Sequence, residues 1–300
     1  MSLVLLQQQV MAETPYLPEA DVQVITDQLT EDEREEVLGF LSENPVHTVV
    51  MAGFIRDNGL RSELNRGTFW GCRNSAGRLE GVALIGHVTL VEARTRRAAH
   101  EFALAAQVSV RKHMILGERE MVEAFWTYYA DEGQPMRRAC RERLFGLRRA
   151  VETTSEVGSL RPATPADIDL IAPAHAAMAE AESGINPLNT DPEGFIARCL
   201  RRIQAGRVWV VVEDGRLIFK ADVQADTPDV IYLEGVWVAP SERHTGFGRR
   251  CLTQLCRNLL ARAKAVCLLA NDENEPAQAF YRMCGFKCEG VFDTIYLRRD

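Results

Sequence analysis

Hydrophobic and polar positions follow one another along this chain in an order that occurs twice. In the first half, acidic, helix-favouring residues from Glu31 to Glu43 end at Asn44-Pro45, and a second helical stretch runs from Val46 to Asp57. Thr68 to Arg73, a turn at Asn74 to Gly77 and Leu79 to Leu90 read as a β-hairpin. Ala93 to Ala106 has helical spacing, Met114 to Leu116 is a short strand, Glu118 to Ala130 a helix, and Arg137 to Leu147 a closing strand.

The second half repeats this order. Thr164 is placed as an N-cap, with Pro165 at the first helical position, before a helix from Ala166 to Glu182. Gly184 to Pro187 breaks that helix, and Pro192 to Gln204 forms another. Arg207 to Val212, a turn at Asp214-Gly215 and Leu217 to Gln224 make a hairpin, and Ile231 to Val238 is the next strand. Pro240 cannot donate a ladder hydrogen bond, so that strand ends there. Phe247, Cys251, Leu252, Leu255, Leu259 and Leu260 then recur at helical spacing, and Ala265 to Ala270 is a further strand, parallel to Ile231–Val238 through a right-handed crossover. Phe69-Trp70 with Gly77-Arg78-Leu79 corresponds to Val208-Trp209 with Gly215-Arg216-Leu217. A tandem duplication of one α/β fold accounts for the repetition. It divides the chain into an extension over 1–20, a first domain over 21–150, a polar linker over 151–159 and a second domain over 160–300.

Composition narrows the classes open to such a chain. Its 300 residues suit two domains of ordinary size, and 46% hydrophobic with 26% charged residues is the composition of a globular protein. A net charge of −7 argues against a general nucleic-acid-binding surface. No stretch is long and apolar enough for a membrane span, and the start, MSLVLLQQQV, lacks the basic region of a signal peptide. The 8 cysteines form no C-x-x-C and the 6 histidines show no metal-ligand spacing. The cysteines read as small buried hydrophobes in a reducing cytoplasm, and no metal is expected.

The chemistry concentrates between Val236 and Gly248. Gly246 and Gly248 stand where a strand meets a helix N-terminus, where unpaired N–H groups and the helix dipole favour an anion. Arg243 adds positive charge, and glycines let a phosphate approach the backbone. The string R-x-x-G-x-G also suits an ordinary turn. Ahead of it lies V-x-V-x-P. Behind it come Asn274, Ala277, Phe280, Tyr281, Gly285 and Phe286, an N-x-x-A-x-x-F-Y-x-x-x-G-F pattern. Together these resemble the acetyl-CoA core of the GNAT acyltransferase superfamily, over roughly Leu160 to Leu297.

The resemblance implies a mixed α/β fold of two tandem GNAT-like domains, each a mostly antiparallel, splayed sheet flanked by helices. The whole chain is similar to a bacterial family of tandem GNAT proteins, and its layout is similar to that of mycothiol synthase, which implies no shared substrate. By resemblance, acetyl-CoA is the co-substrate. It would be held by Val236, Trp237, Val238, Arg243, His244, Thr245, Gly246, Phe247, Gly248, Arg249, Asn271, Asn274, Ala277 and Tyr281. Backbone N–H groups of Val236 to Val238 would take the thioester carbonyl. The first copy has no glycine between His87 and Leu116, where its phosphate turn should lie, so it reads as a degenerate domain.

Tyr281 matches the family's tyrosine, a proton donor to the departing thiolate; a core aromatic is the alternative. Glu234 and Tyr232 occupy positions where relatives place basic or water-relaying groups. A structural Lys220–Glu234 ion pair is equally compatible with the sequence. Glu182 and Asn186 fall in the loop that lines the acceptor site in the family, and Lys220 is a third candidate there. The implied activity is transfer of an acetyl group from acetyl-CoA to an amine of a small molecule or peptide. A non-catalytic acyl-CoA-binding regulator is the rival reading, and homodimer formation stays open.

Overall fold

The computed structural model describes residues 24–109, 113–151 and 156–298; the N-terminal extension and the centre of the linker lie outside them. The chain forms two compact units, Met1–Glu142 with Val291–Asp300, and Arg143–Gly290.

The first unit begins with β1 (Ile25–Gln28), α1 (Arg34–Leu41) and α2 (Val49–Asn58). Next come β2 (Gly67–Arg73), β3 (Leu79–Gly86), β4 (Val88–Ala93), α3 (Arg96–Val108), β5 (Met114–Glu118) and α4 (Arg119–Tyr129). A long strand, β6 (Met136–Leu147), starts in this unit, and its last residues belong to the second. The apolar faces explain the layering. Val37, Leu41, Met51 and Ile55 of α1 and α2 pack with Phe69, Val82 and Leu84 on one side of the sheet. Phe102, Ala106, Phe125 and Tyr129 of α3 and α4 pack with Cys72, Ala83 and Ile115 on the other.

Two expectations for this unit change. The apolar run Leu79–Leu90 is not one strand but two. His87 donates its backbone N–H to Arg66 O (2.8 Å), and its own carbonyl accepts from His113 and Met114 (3.2 Å each), which turns the chain out of the hairpin. The sheet is also completed by the end of the chain. In β12 (Lys287–Leu297), Phe292 to Tyr296 pair antiparallel with Glu118 to Met114 of β5. This pairing places the final residues of β12 with the first unit, whose earlier part ends at Glu142 within β6.

The second unit carries β7 (Arg161–Pro162), α5 (Ile168–Ser183), the short α6 (Pro187–Thr190), α7 (Pro192–Gln204), β8 (Val208–Glu213), β9 (Arg216–Asp226) and β10 (Val230–Val238). It continues with α8 (Phe247–Leu260), β11 (Ala265–Asn271), α9 (Glu275–Met283) and the first residues of β12. Strand order runs β11-β10-β9-β8-β7, parallel between β10 and β11 and antiparallel elsewhere. Cys251, Leu252, Leu255 and Leu259 of α8 and Tyr281 of α9 cover one face with Phe219, Val223, Ile231 and Leu233. Ile171 of α5 and Ile203 of α7 cover the other with Val208, Val210 and Leu217. The linker is less free than its polarity suggests. Val157 is buried in the core under α8 and donates its N–H to Gln254 Oε1 (2.7 Å). All 8 cysteines are free thiols, most of them buried as small apolar groups.

The start of α5 fulfils the capping expectation. Asp167 accepts from Thr164 N (2.7 Å) and receives both terminal nitrogens of Arg161 (2.8 and 2.9 Å). Arg161 beside it holds the Asp167 carboxyl well below the usual carboxylate range, against a smaller opposing effect of burial. A folded-state pKa below the unfolded one stabilises the fold at pH above the unfolded value, and the gain is lost as pH falls below it. Asp167→Ala should therefore cost about 1–2 kcal/mol at neutral pH. In urea melts, the gap from the parent protein should narrow steadily below about pH 4.

Candidate active site

Strand β10 determines the shape of the site. Val230 to Leu233 pair in parallel with Ala265 to Leu268 of β11, and there the pairing stops. The antiparallel ladder to β9 continues to Val238, opposite Phe219. Ala239 makes one more backbone bond, to Ile218 O at 2.8 Å, before Pro240 ends the strand as expected. Within this outer stretch lies a bulge. Glu234 faces Asp222 and Trp237 faces Lys220, so Gly235 and Val236 together oppose Ala221. Gly235 has φ +61°, a conformation that glycine adopts without strain. Val236 and Val238 pack on the core under α8, and Trp237 packs on the opposite core with Ile171, Ile203 and Leu217.

Beyond β10 the turn is open to solvent. Arg243, His244, Thr245, Gly246, Arg249 and Arg250 are all exposed. Arg243 Nε donates to Val238 O (3.2 Å), and Thr245 Oγ1 donates to Glu242 O (2.9 Å) while accepting from Phe247 N (3.2 Å). His244 stands at φ +64° and Gly246 at φ +84°. Gly246 is the N-cap of α8; no side chain caps the helix, and its first turn holds no acidic residue. An added Cβ at Gly246 would meet no atom within 4 Å. An uncapped helix end, positive by its dipole, with three exposed arginines and open space over a glycine, fits a pyrophosphate.

Gly248 has a different role. A Cβ there would stand 2.7 Å from Val238 Cγ2, so this glycine lets α8 lie close against β10. The expectation that its missing side chain clears the way for phosphate passes to Gly246 alone.

Across the splay, β11 ends at Asn271. Its Oδ1 accepts from Glu273 N (2.8 Å), and Asn274 Oδ1 accepts from Ala277 N (3.1 Å) as the N-cap of α9. Both side-chain oxygens thus order the start of α9. Tyr281 follows two turns later, with its ring near those of Phe280 (5.5 Å), Phe145 (5.9 Å) and Phe286 (6.1 Å). Burial pushes its hydroxyl pKa above the ordinary value, with the Cys284 thiol and the Glu182 carboxylate adding to the effect. The phenol keeps its proton at neutral pH.

On the opposite face of the sheet, α5 and α7 cover a cluster of charges. Lys220 and Asp222 are sealed, at 0% and 1% exposure, and pair at 2.8 Å. Arg202 Nη1 reaches Asp222 Oδ2 at 3.1 Å and Glu234 Oε2 at 3.7 Å, and His175 Nδ1 lies 3.5 Å from Asp222 Oδ2. Burial and the nearby Lys220 charge push the His175 pKa down to about 3, so its ring is neutral. Burial works to raise the Asp222 pKa, but Lys220 and Arg202 hold it below the usual value.

The expected Lys220–Glu234 pair does not form. The hairpin turn sets Ile231 opposite Asp226, which already leaves Lys220 out of line with Glu234, and an irregularity at Gln224 then brings Asp222 there. The partner of Glu234 is Arg202, and the Glu234 side chain stays 43% exposed. Lys220, fully buried, is not available to an acceptor. Asn186 is also committed, its Oδ1 accepting from Leu188 N (3.0 Å) and its amide donating to Glu180 (2.9 Å). Glu182 is exposed, and Tyr232 is buried on β10 between Ala225 and Cys267. Sequence reasoning missed Arg202, Asp222 and His175. Asp222, an acid inside the run Phe219–Val223, carried the one local signal.

Residues 176–286 match the family described as Acetyltransferase (GNAT). Over those residues the chain carries a GNAT acetyltransferase domain. Solved structures agree on the fold. A tandem GNAT protein from the clavulanic acid biosynthesis pathway is similar with a TM-score of 0.55 at 14% identity, over 93% of this chain and 100% of that one. A GNAT-family acetyltransferase from Colwellia psychrerythraea gives 0.56 at 11% identity, over 92% and 100%. A GCN5-related N-acetyltransferase from Sphaerobacter thermophilus gives 0.58 at 12%, over 92% and 96%. No curated protein matches. The splayed strands, the bulge and the uncapped α8 all lie in the second unit, which holds this GNAT domain. Among the described residues, no group of three or more His, Cys, Asp or Glu could hold a metal ion. Nor is any helix there long and apolar enough to cross a membrane.

The packing at Gly248 generates a prediction separate from ligand binding. Gly248→Val forces a side chain into Val238, so it should destabilise the fold by about 1–3 kcal/mol, read as a lowered Cm in urea with no ligand present. The sealed ion pair generates another. Lys220→Met leaves Asp222 without its ammonium and should cost about 3–5 kcal/mol, while replacing both partners by apolar residues, K220M/D222L, should cost far less.

Proposed function

We propose that the second unit transfers an acetyl group from acetyl-CoA to the amine of a small molecule or peptide. The observation that carries this reading is the gap left where β10 leaves β11, bounded by the bulge at Gly235 and the uncapped N-terminus of α8. The pyrophosphate would lie on α8 at Gly246, with Arg243 and Arg249 beside it. The acyl arm would run into the gap, where backbone N–H groups of Val236 to Val238 receive the thioester carbonyl. One such donor lowers the barrier by about 3 kcal/mol.

In the reaction the amine nitrogen bonds to the acyl carbon, the carbon–sulfur bond breaks, and the thiolate leaves with the electron pair. Glu234, half exposed, takes the amine proton through water, and Tyr281 supplies a proton to the sulfur. A carboxylate is a weak base for an ammonium, so a water relay or an acceptor arriving neutral suits Glu234. Asn274, Asn271 and Ala277 act on the cofactor by ordering the start of α9. Acceptors would enter past Glu182 and the α5–α7 side. The free thiols and the absence of a membrane-spanning helix among the described residues are compatible with a cytoplasmic protein.

The first unit supports one cofactor per chain. There β4 passes into α3 through Arg94 and Thr95 alone, and Thr95 accepts from Ala98 N at 3.2 Å, so the helix end is already capped. Isothermal titration should give about one acetyl-CoA per chain; two equivalent sites would refute the single-site reading.

The rival reading, a regulator that binds acyl-CoA without turnover, draws on the three rings packed around Tyr281, which a core aromatic would also have. Tyr281→Phe separates the two. A regulator needs no proton donor at sulfur, whereas an acyltransferase loses a contact made only in the transition state. The variant should bind acetyl-CoA like the parent and release CoA thiol at least about tenfold more slowly with a panel of amines. Lost binding would make Tyr281 structural; unchanged turnover would remove it from the mechanism.

A further inference from the structure

Lys220 is sealed in the middle of β9, where a charge is costly unless its contacts repay it. Stability alone does not account for the Lys220–Asp222 pair, because apolar residues of similar volume often serve as well or better. What an apolar residue cannot do is donate a hydrogen bond. Lys220 Nζ donates to the carbonyl of Gly235 at 3.2 Å. It fills the space against that glycine, since an ideal Cβ on Gly235 would lie only 2.8 Å from Nζ.

Gly235 is the bulge residue of β10. A trans peptide is planar, so the C=O of Gly235 and the N–H of Val236 point in opposite directions. An ammonium that fixes the carbonyl on the α5–α7 side fixes the Val236 N–H on the other. That N–H belongs to the segment beyond Leu233, where β11 no longer pairs with β10. Asp222 anchors the ammonium at 2.8 Å and is itself tied to α7 through Arg202 and faced by His175 of α5.

We propose that Lys220, anchored by Asp222, is a positioning residue that clamps the Gly235 carbonyl and thereby aims the Val236 N–H at the acyl carbonyl of the bound thioester. The inference rests on the acetyl-transfer reading, and it assigns Lys220 to the donor side of the reaction rather than to the acceptor.

Isotope-edited infrared spectroscopy of acetyl-CoA labelled with ¹³C at the acyl carbonyl tests it without an identified acceptor. On the parent protein the bound carbonyl band should move to lower wavenumber than in free acetyl-CoA, as a hydrogen bond polarises the C=O. In K220M/D222L the affinity should stay within about threefold by titration, while the band returns toward its free position. K220Q/D222N keeps a neutral N–H donor at the same place and should retain part of the shift, which a purely structural role would not require. Should K220M/D222L fail to fold, Gly235→Ala reads the same geometry by displacing the ammonium, and it too should lose the shift. A full shift in K220M/D222L or, where that variant does not fold, in Gly235→Ala would overturn the inference. So would parent protein that binds acetyl-CoA with no shift, and in these cases the acetyl-CoA reading survives. Absence of acetyl-CoA binding to the parent would overturn that reading and the inference with it.

Discussion

The second unit depends on where one ladder of hydrogen bonds ends. β10 and β11 share four register positions, Val230 to Leu233 against Ala265 to Leu268, and then part. Backbone donors and acceptors at a sheet interior are normally paired, so a ladder that stops within the sheet leaves groups that need another partner. The antiparallel partner β9 holds the outer half of β10 in place, and the bulge turns it. Pro240 then prevents the strand from extending, and Gly248 lets α8 close down on Val238. The gap, the helix end above it and the tyrosine across it all follow from that early parting.

The polar cluster beneath α5 and α7 shows how the same region is kept in one arrangement. Lys220, Asp222 and Arg202 meet within about hydrogen-bonding distance, and each fixes a different element: β9, the bulge of β10, and α7. Buried charges paired this closely rigidify their surroundings, and removing one member strands the others in a medium of low dielectric. His175 completes the cover as a neutral ring, its charge suppressed by burial.

Much of this was legible along the chain, and the reason is locality. Pro240, the glycines at 246 and 248, and the spacing of Cys251, Leu255 and Leu259 all act on residues a few positions away, so the strand, turn and helix could be read directly. The N-cap at Thr164 was legible for the same reason. The resemblance implies that Asn271 and Asn274 hold the cofactor, yet their oxygens cap backbone nearby, a role that the same residue types suit equally well. What the sequence concealed depends on register. The place of the β9–β10 turn and a one-residue irregularity at Gln224 decide that Asp222 faces Glu234, and nothing in the side-chain pattern marks them. Arg202 sits in a run of arginines that reads as a solvated helix surface, and His175 lies among alanines without a visible partner. The four-residue α6 (Pro187–Thr190) is too short to leave a periodic signal.

The pairing of β12 with β5 bears on how the chain comes off the ribosome. Met114 to Glu118 have been synthesised long before Phe292 to Tyr296 exist, yet the first unit's sheet is complete only when they meet. Domains usually fold in the order in which they are made. Here the N-terminal unit must wait with an open strand edge, an exposure of unpaired backbone and apolar surface that lasts through translation of the whole second unit. The contact is also among the most distant in sequence that the chain makes, and such contacts form slowly. A nascent chain arrested before Val291 would carry a second unit with its gap and helix end in place, and a first unit lacking the strand that stands between β5 and β6.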